Sequence, residues 1–195
     1  GQALVKIRYA SLNPIDYKIR NGRFHLFMDK KFPKILGLEA SGTIVETGAG
    51  LSGLLAGTPV FIQTSRKFRM GCYAEYAVVD ADRILPLPPD FDLKAGSALA
   101  VAPATALQGL RDHGRVKPGS RVLINGASGS VGLCAVQMAK QMGAHVTGVC
   151  STRNTDLVQK NGADRVIDYL KMDFAALSDH YDLVFDCVST RTFSE

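Results

Sequence analysis

Gly126-Ala127-Ser128-Gly129-Ser130-Val131-Gly132 follows directly on Arg121-Val122-Leu123-Ile124-Asn125. Val131, Ala135, Met138, Ala139 and Met142 then recur at helical spacing up to a stop at Gly143. A short buried strand, a glycine-rich loop and a helix are therefore expected in that order. Residues 127–132 fit A-x-G-x-x-G, with Ala127 where a dinucleotide fingerprint more often carries its first glycine. The physical logic survives the exchange. Gly129 lets backbone approach a pyrophosphate, Gly132 lets the helix pack on the strand, and the helix start offers free N–H groups and a partial positive charge. Residues 145–150, 165–169 and 181–188 read as further strands. Strand and helix thus alternate, which predicts a parallel, doubly wound sheet.

Past the second of these strands the chain runs Cys150-Ser151-Thr152-Arg153-Asn154, with no acidic residue before Asp156. An NAD site would place Asp or Glu near here, about 20 residues beyond the loop, to hold the ribose hydroxyls. A carboxylate repels a 2′-phosphate, whereas Ser151 and Arg153 can donate hydrogen bonds and positive charge to one. NADP(H) is favoured over NAD(H), the plain alternative being that Arg153 is a solvated loop residue. Ser128 supports a reading from another class. Gly126-Ala127-Ser128-Gly129 nearly begins the nucleophile elbow G-x-S-x-G of hydrolases, but Ser130 holds the fifth position and no His or Asp is singled out as a partner.

The preceding part of the chain has a different pattern. Ala3, Val5, Ile7 and Tyr9 alternate with Lys6 and Arg8 at the period of a half-buried strand, and more strands are expected at 42–46, 59–63, 73–79 and 83–87. Several short strands with few helices predict a partly closed barrel. Between the first two, Asn13 suits a helix cap, Pro14 the first helical position and Gly22 the end. Residues 95–110 are rich in Ala and Leu, and Pro103 is expected to divide them into two short helices.

Composition bounds the rest. With 46% hydrophobic residues among 195, the chain can bury enough apolar surface to order itself. No apolar run approaches the roughly 20 residues needed to cross a bilayer, and the first residues lack a signal-peptide layout, so a cytoplasmic protein is expected. Lys and Arg outnumber Asp and Glu by 23 to 18, but only Arg66-Lys67-Phe68-Arg69 is tightly clustered, which reads as a solvated loop rather than a nucleic-acid face. Cys72, Cys134, Cys150 and Cys187 lie far apart without a neighbouring His, as reduced core thiols and not metal ligands. The parallel sheet lacks strands of a complete six-stranded fold, and the first residue is Gly at a strand edge. A fragment cut at both ends is the expectation.

Asn13-Pro14-Ile15-Asp16, Gly37-Leu38-Glu39-Ala40-Ser41-Gly42, Tyr73-Ala74-Glu75-Tyr76, Pro103-Ala104-Thr105-Ala106-Leu107, the 126–132 loop and Asn161-Gly162-Ala163-Asp164 occur in an order that resembles the medium-chain dehydrogenases/reductases, in particular the zinc-independent quinone oxidoreductase (zeta-crystallin-like) branch. The resemblance covers essentially the whole chain. It implies a GroES-like β-barrel domain over 1–88 and a Rossmann domain over 89–195, with the active site in a cleft between them. Zinc alcohol dehydrogenases of that superfamily carry Cys and His ligands where this chain has Asn13 and Leu38, neither of which can be a thiolate or imidazole ligand. The implied chemistry is zinc-independent hydride transfer from NADPH to a small quinone or α,β-unsaturated carbonyl. By resemblance Asn13 lines the cleft, Thr105 seats the nicotinamide, the backbones of Ser130 and Val131 meet the pyrophosphate, Tyr169 borders the adenosine phosphate and Tyr17 is a candidate proton donor. From the residues alone, Asn13 and Thr105 are equally readable as helix caps. Two alternatives accompany this reading: a non-catalytic NADPH-binding structural protein and an enoyl-thioester reductase. No nucleic acid and no membrane span is expected, and relatives of this type suggest a homodimer.

Overall fold

Ala3 and Val5 are buried while Gln2 and Lys6 are exposed, the two-residue period that makes β1 (Gln2–Ala10) in a computed structural model of the protein. The structure describes residues 1–23, 33–51, 53–64 and 70–189; Phe24, His25 and the basic cluster at 66–69 lie outside the described residues. β1 pairs antiparallel with β2 (Glu39–Thr47) and with β4 (Tyr76–Asp80); β2 pairs with β3 (Pro59–Gln63), and β3 with β5 (Ile84–Pro86). The order β4-β1-β2-β3-β5 gives one curled antiparallel sheet, the partial barrel expected of this part. Val5, Ala40, Ile44, Val60, Ile62 and Val79 fill it. β4 starts three residues later than its sequence pattern suggests. The Cys72 and Tyr73 N–H groups bond the carbonyls of Gly37 and Leu36, and pull residues 72–73 away from β1.

The helix expected after Asn13 is α1 (Pro14–Arg20). The two helices expected within 95–110 exist, but their boundary is not at Pro103. α2 (Leu93–Gly96) ends first, and Pro103 is the third residue of α3 (Val101–Leu107). In a first turn the backbone N–H has no helical acceptor, so proline costs nothing there. α3 continues into a π-helical stretch, Gln108–His113, closed by a Gly114 N–H bond to the Gly109 carbonyl.

β6 (Arg121–Asn125), α4 (Ser130–Gln141), β7 (His145–Cys150), α5 (Thr155–Lys160), β8 (Arg165–Asp168) and β9 (Leu183–Asp186) follow. The four strands are parallel, in the order β8-β7-β6-β9. Buried Gly132, Ala135, Val136 and Ala139 form the face of α4 that packs on Val122, Ile124 and Val146, and Gly143 at φ +81° ends the helix in a left-handed turn. The chain moves outward from β6 through β7 to β8, then returns to the other side of β6 as β9. The order therefore reverses at the C-terminal end of β6, the switch point where ligands bind in doubly wound sheets. The chain divides into two compact units, Gly1–Val101 and Ala102–Glu195.

Candidate functional site

The loop at that switch point is shaped by three close contacts. Gly126 sits at φ +76°, a left-handed conformation that favours glycine. A Cβ on Gly132 would lie 2.2 Å from the Gly126 carbonyl oxygen and 2.7 Å from Ala127 Cα, so only glycine lets α4 start this close to β6. Ala127 is buried, and its N–H donates to the Val149 carbonyl at 2.9 Å. This residue braces the loop against β7 rather than offering a donor outward. Gly129, exposed, has room for backbone approach: a Cβ there would meet just the Gly126 oxygen, at 3.4 Å.

The first helical hydrogen bond of α4 runs from Leu133 N–H to the Gly129 carbonyl, 2.8 Å. The N–H groups of Ser130, Val131 and Gly132 precede it and have no backbone acceptor among the described residues. A twelve-residue helix places its positive dipole end at these amides. Three orphaned donors, an uncluttered glycine and a helix dipole fit a pyrophosphate.

The strand end beside the loop carries the second part of the site. Asn154 Nδ2 donates to Ser128 Oγ at 3.1 Å and to Ser151 Oγ at 3.2 Å, joining the phosphate loop to the turn after β7. Arg153 is exposed in that turn and has no ion-pair partner among the described residues. Sequence reasoning missed both Asn154 and a nearby acid. Asp168, at the end of β8, accepts from Thr152 Oγ1 at 2.5 Å and from Leu170 N–H at 3.0 Å, with Lys171 Nζ 3.6 Å away. The Thr152 hydroxyl, with help from Leu170 N–H and Lys171, holds the Asp168 carboxyl below its usual range. The corner thus contains a carboxylate, but one turned onto its own neighbours. The signal available was indirect: Asp168 closes the strand paired with β7, Cys150 opposite Asp168. Tyr169, 55% exposed, donates its N–H to the Cys150 carbonyl at this same end of the sheet.

In the first unit, the start of α1 is built on two buried carboxylates. Asp16 Oδ2 accepts from Asn13 N–H and from Tyr73 Oη, each at 2.9 Å. Burial and the Asp16 hydrogen bond push the Tyr73 hydroxyl well above the ordinary tyrosine range. Asp16 Oδ1 is buried without a partner. Asn13 Nδ2 donates to Ser11 Oγ, 3.0 Å, and to Glu39 Oε1, 2.8 Å, while the same side chain takes part in the capping box with Asp16. Asn13 is therefore tied to β2, the function that its reading as a cap did not include. Tyr17 lies on the same helix and is 47% exposed. Thr105 is in the middle of α3, which removes its reading as the cap of a helix beginning after Pro103. A cavity of about 300 Å³ in the first unit is lined by Gln63, Thr64, Met70, Tyr76 and Arg83 among others, and by none of the predicted site residues.

Three of the thiols are poor nucleophiles: burial raises Cys72 and Cys187 to about 11 and moves Cys150 upward as well. Among the described residues no three His, Cys, Asp or Glu side chains form a metal cluster, and no helix is long and apolar enough to cross a membrane.

Residues 1–89 match the alcohol dehydrogenase GroES-like domain and residues 130–195 match the zinc-binding dehydrogenase family. The chain is 36% identical over 203 residues to the chloroplastic quinone-oxidoreductase QR1 of Triphysaria versicolor, covering 100% of this chain and 61% of that protein. Among solved structures it is similar to the quinone oxidoreductase of Coxiella burnetii, with a TM-score of 0.88, 36% identity and coverage of 94% of this chain and 58% of the other. It is also similar to the Escherichia coli quinone oxidoreductase complexed with NADPH, with a TM-score of 0.78, 30% identity and coverage of 88% and 51%. The chain spans about six-tenths of the length of the curated relatives it matches.

Proposed function

The chain belongs to the medium-chain dehydrogenase/reductase superfamily, in its quinone oxidoreductase branch, and from that premise we propose that it binds NADPH and serves hydride transfer to a quinone or α,β-unsaturated carbonyl. The observation that carries this reading is the trio of unpaired amides at Ser130, Val131 and Gly132, placed at the switch point beside an exposed, unpaired Arg153.

Each residue then has a physical task. The α4 amides hold the diphosphate, while Gly129 lets it come close. Ser151 and Arg153 receive the 2′-phosphate, and Asn154 fixes the distance between that corner and Ser128. Thr152 fixes the orientation of the still-charged Asp168 carboxylate, keeping it turned onto its own neighbours. Asn13, at the cap of α1, and Tyr17, on it, contribute polar groups, Tyr17 as the hydroxyl that offers a proton to the reduced acceptor; Thr105 supports the nicotinamide. When bound, NADPH supplies the hydride, and no metal is required to activate an acceptor that is already electrophilic.

The test is a thermal-shift titration of the full-length protein with NADPH, NADH and 2′,5′-ADP, followed by oxidation assays with quinones and enones. Stabilisation by NADPH and 2′,5′-ADP ahead of NADH, with oxidation of NADPH, is expected. Indifference to all three nucleotides would overturn the reading. Stabilisation without oxidation of NADPH by any acceptor would leave a binding protein instead of a reductase.

A further inference from the structure

The hydroxyl groups around the turn after β7 spend their protons differently. Thr152 gives its proton to Asp168 Oδ2 at 2.5 Å, and Thr155 gives its own to the Thr152 carbonyl at 3.0 Å. Ser128 and Ser151 act as acceptors instead, taking Asn154 Nδ2 at 3.1 Å and 3.2 Å. Among the described residues neither serine hydroxyl donates to a protein group. A hydroxyl has one proton and two lone pairs, so a serine that takes a hydrogen bond from Asn154 keeps its proton for a group outside. Both hydrogens of the Asn154 amide are used in this way, and its side chain makes no cap to α5. With the amide turned over, both serines would give their protons to its oxygen and present lone pairs outward, which an anion rejects. Sharing one nitrogen keeps the two serine oxygens within about 6 Å of each other, close enough for both to reach a single phosphate group. The contact also leaves Ser128 without a base among the described residues, since an amide nitrogen takes no proton.

We propose that Ser128 is a specificity-determining residue for the 2′-phosphate, and that Asn154 is the positioning residue that makes Ser128 and Ser151 donors. The inference rests on the reading of this corner as the NADPH site and goes one step beyond it. The 126–132 loop then serves two different phosphates, the diphosphate through the amides of Ser130, Val131 and Gly132, and the 2′-phosphate through the Ser128 hydroxyl. With Arg153 exposed in the same turn, three side-chain donors surround one anion. The neutral 2′-hydroxyl of NADH gains much less from them.

The experiment titrates the full-length protein and its variants with NADPH, NADH and 2′,5′-ADP. Ser128→Ala should lower the ratio of NADPH to NADH affinity about tenfold, the worth of one hydrogen bond to a charged group, and weaken 2′,5′-ADP to match. Asn154→Ala lets both hydroxyls rotate and should lower the same ratio about three- to tenfold. Where Ser128 and Ser151 are already alanine, Asn154→Ala should change the ratio by less than about twofold, because a positioning residue has nothing left to position.

An unchanged ratio in Ser128→Ala, including an equal loss of NADPH and NADH that would put the hydroxyl on the diphosphate, overturns the inference. So does an Asn154→Ala effect of full size without the serines, which would mean direct contact with the ligand. Should Asn154→Ala not fold, Asn154→Asp keeps the shape and takes both hydroxyl protons; the ratio should then fall at least about tenfold, and a ratio that stays put refutes the role of Asn154. A wild-type protein that binds none of the three nucleotides, or binds NADPH and NADH equally, shows instead that the functional reading has failed.

Discussion

Gly132→Ala and Gly129→Ala separate the packing of the 126–132 loop from the diphosphate binding proposed for it. A methyl at position 132 would sit 2.2 Å from the Gly126 oxygen and 2.7 Å from Ala127 Cα, where real Cβ atoms stay beyond 3.0 Å. Both obstacles are backbone, so neither can swing aside and α4 must move off β6. Alanine recovers up to about 1 kcal/mol of helix propensity, but overpacking of this kind costs about 1–3 kcal/mol or more. The net loss should be on the order of 2 kcal/mol, or roughly 8–16 °C in Tm for a unit of this size. At Gly129 the same methyl meets a single atom at 3.4 Å, and the backbone at φ −75° suits any residue. Stability should change by less than about 1 kcal/mol there. The methyl would nevertheless occupy the space into which the diphosphate must come. NADPH affinity should fall at least about tenfold, one charge-assisted hydrogen bond or more. Circular dichroism melting reads the first effect. Nicotinamide fluorescence, in a sequence without tryptophan, reads the second. A Gly132→Ala protein as stable as the wild type would refute the packing argument, and a Gly129→Ala protein that binds NADPH normally would refute the loop as its diphosphate site.

Three further outcomes follow from the same geometry. Arg153→Ala should weaken NADPH and 2′,5′-ADP by roughly tenfold or more while leaving NADH within about twofold, since only the 2′-phosphate loses a partner; parallel titrations decide it. Thr152→Val keeps the shape but removes the hydroxyl that holds Asp168, so the ratio of NADPH to NADH affinity should drop by about three- to tenfold. An unchanged ratio would show that Asp168 does not reach the corner. Cys72 has its thiol raised by burial from the ordinary 9.0 to about 11, so the folded state holds a proton that the unfolded state releases. Its contribution is complete below pH 9 and disappears as pH rises toward 11. Urea melts across that range should show stability falling, with a shallower slope in Cys72→Ala.

Local patterns carried much of the fold. The run from Arg121 to Gly143 contains its own strand, loop, helix and stop, because burial periodicity and glycine placement are properties of neighbouring residues. Asn13-Pro14 likewise marks the start of α1 without help from elsewhere. Pro103 shows where that reasoning fails. A proline divides helices or opens one, and the outcome depends on where Leu93–Gly96 ends rather than on the proline itself. Ala127 is similar: the motif makes it a member of the glycine-rich loop, yet its N–H is claimed by Val149, a strand away.

What the sequence determined by itself was the presence of a nucleotide-type loop on a parallel sheet, the antiparallel strands before it, and the lack of an acid in the turn after β7. Only the tertiary structure decided that Asp168 stands at that turn but is held by Thr152, and that Glu39 collects donors from residues 11, 13, 100 and 101. Hydrogen-bond partners 16 to 62 residues apart are chosen by strand order and register. Periodicity along the chain tells which face is buried, whereas the identity of the polar group waiting on that face depends on which strand comes to lie beside it.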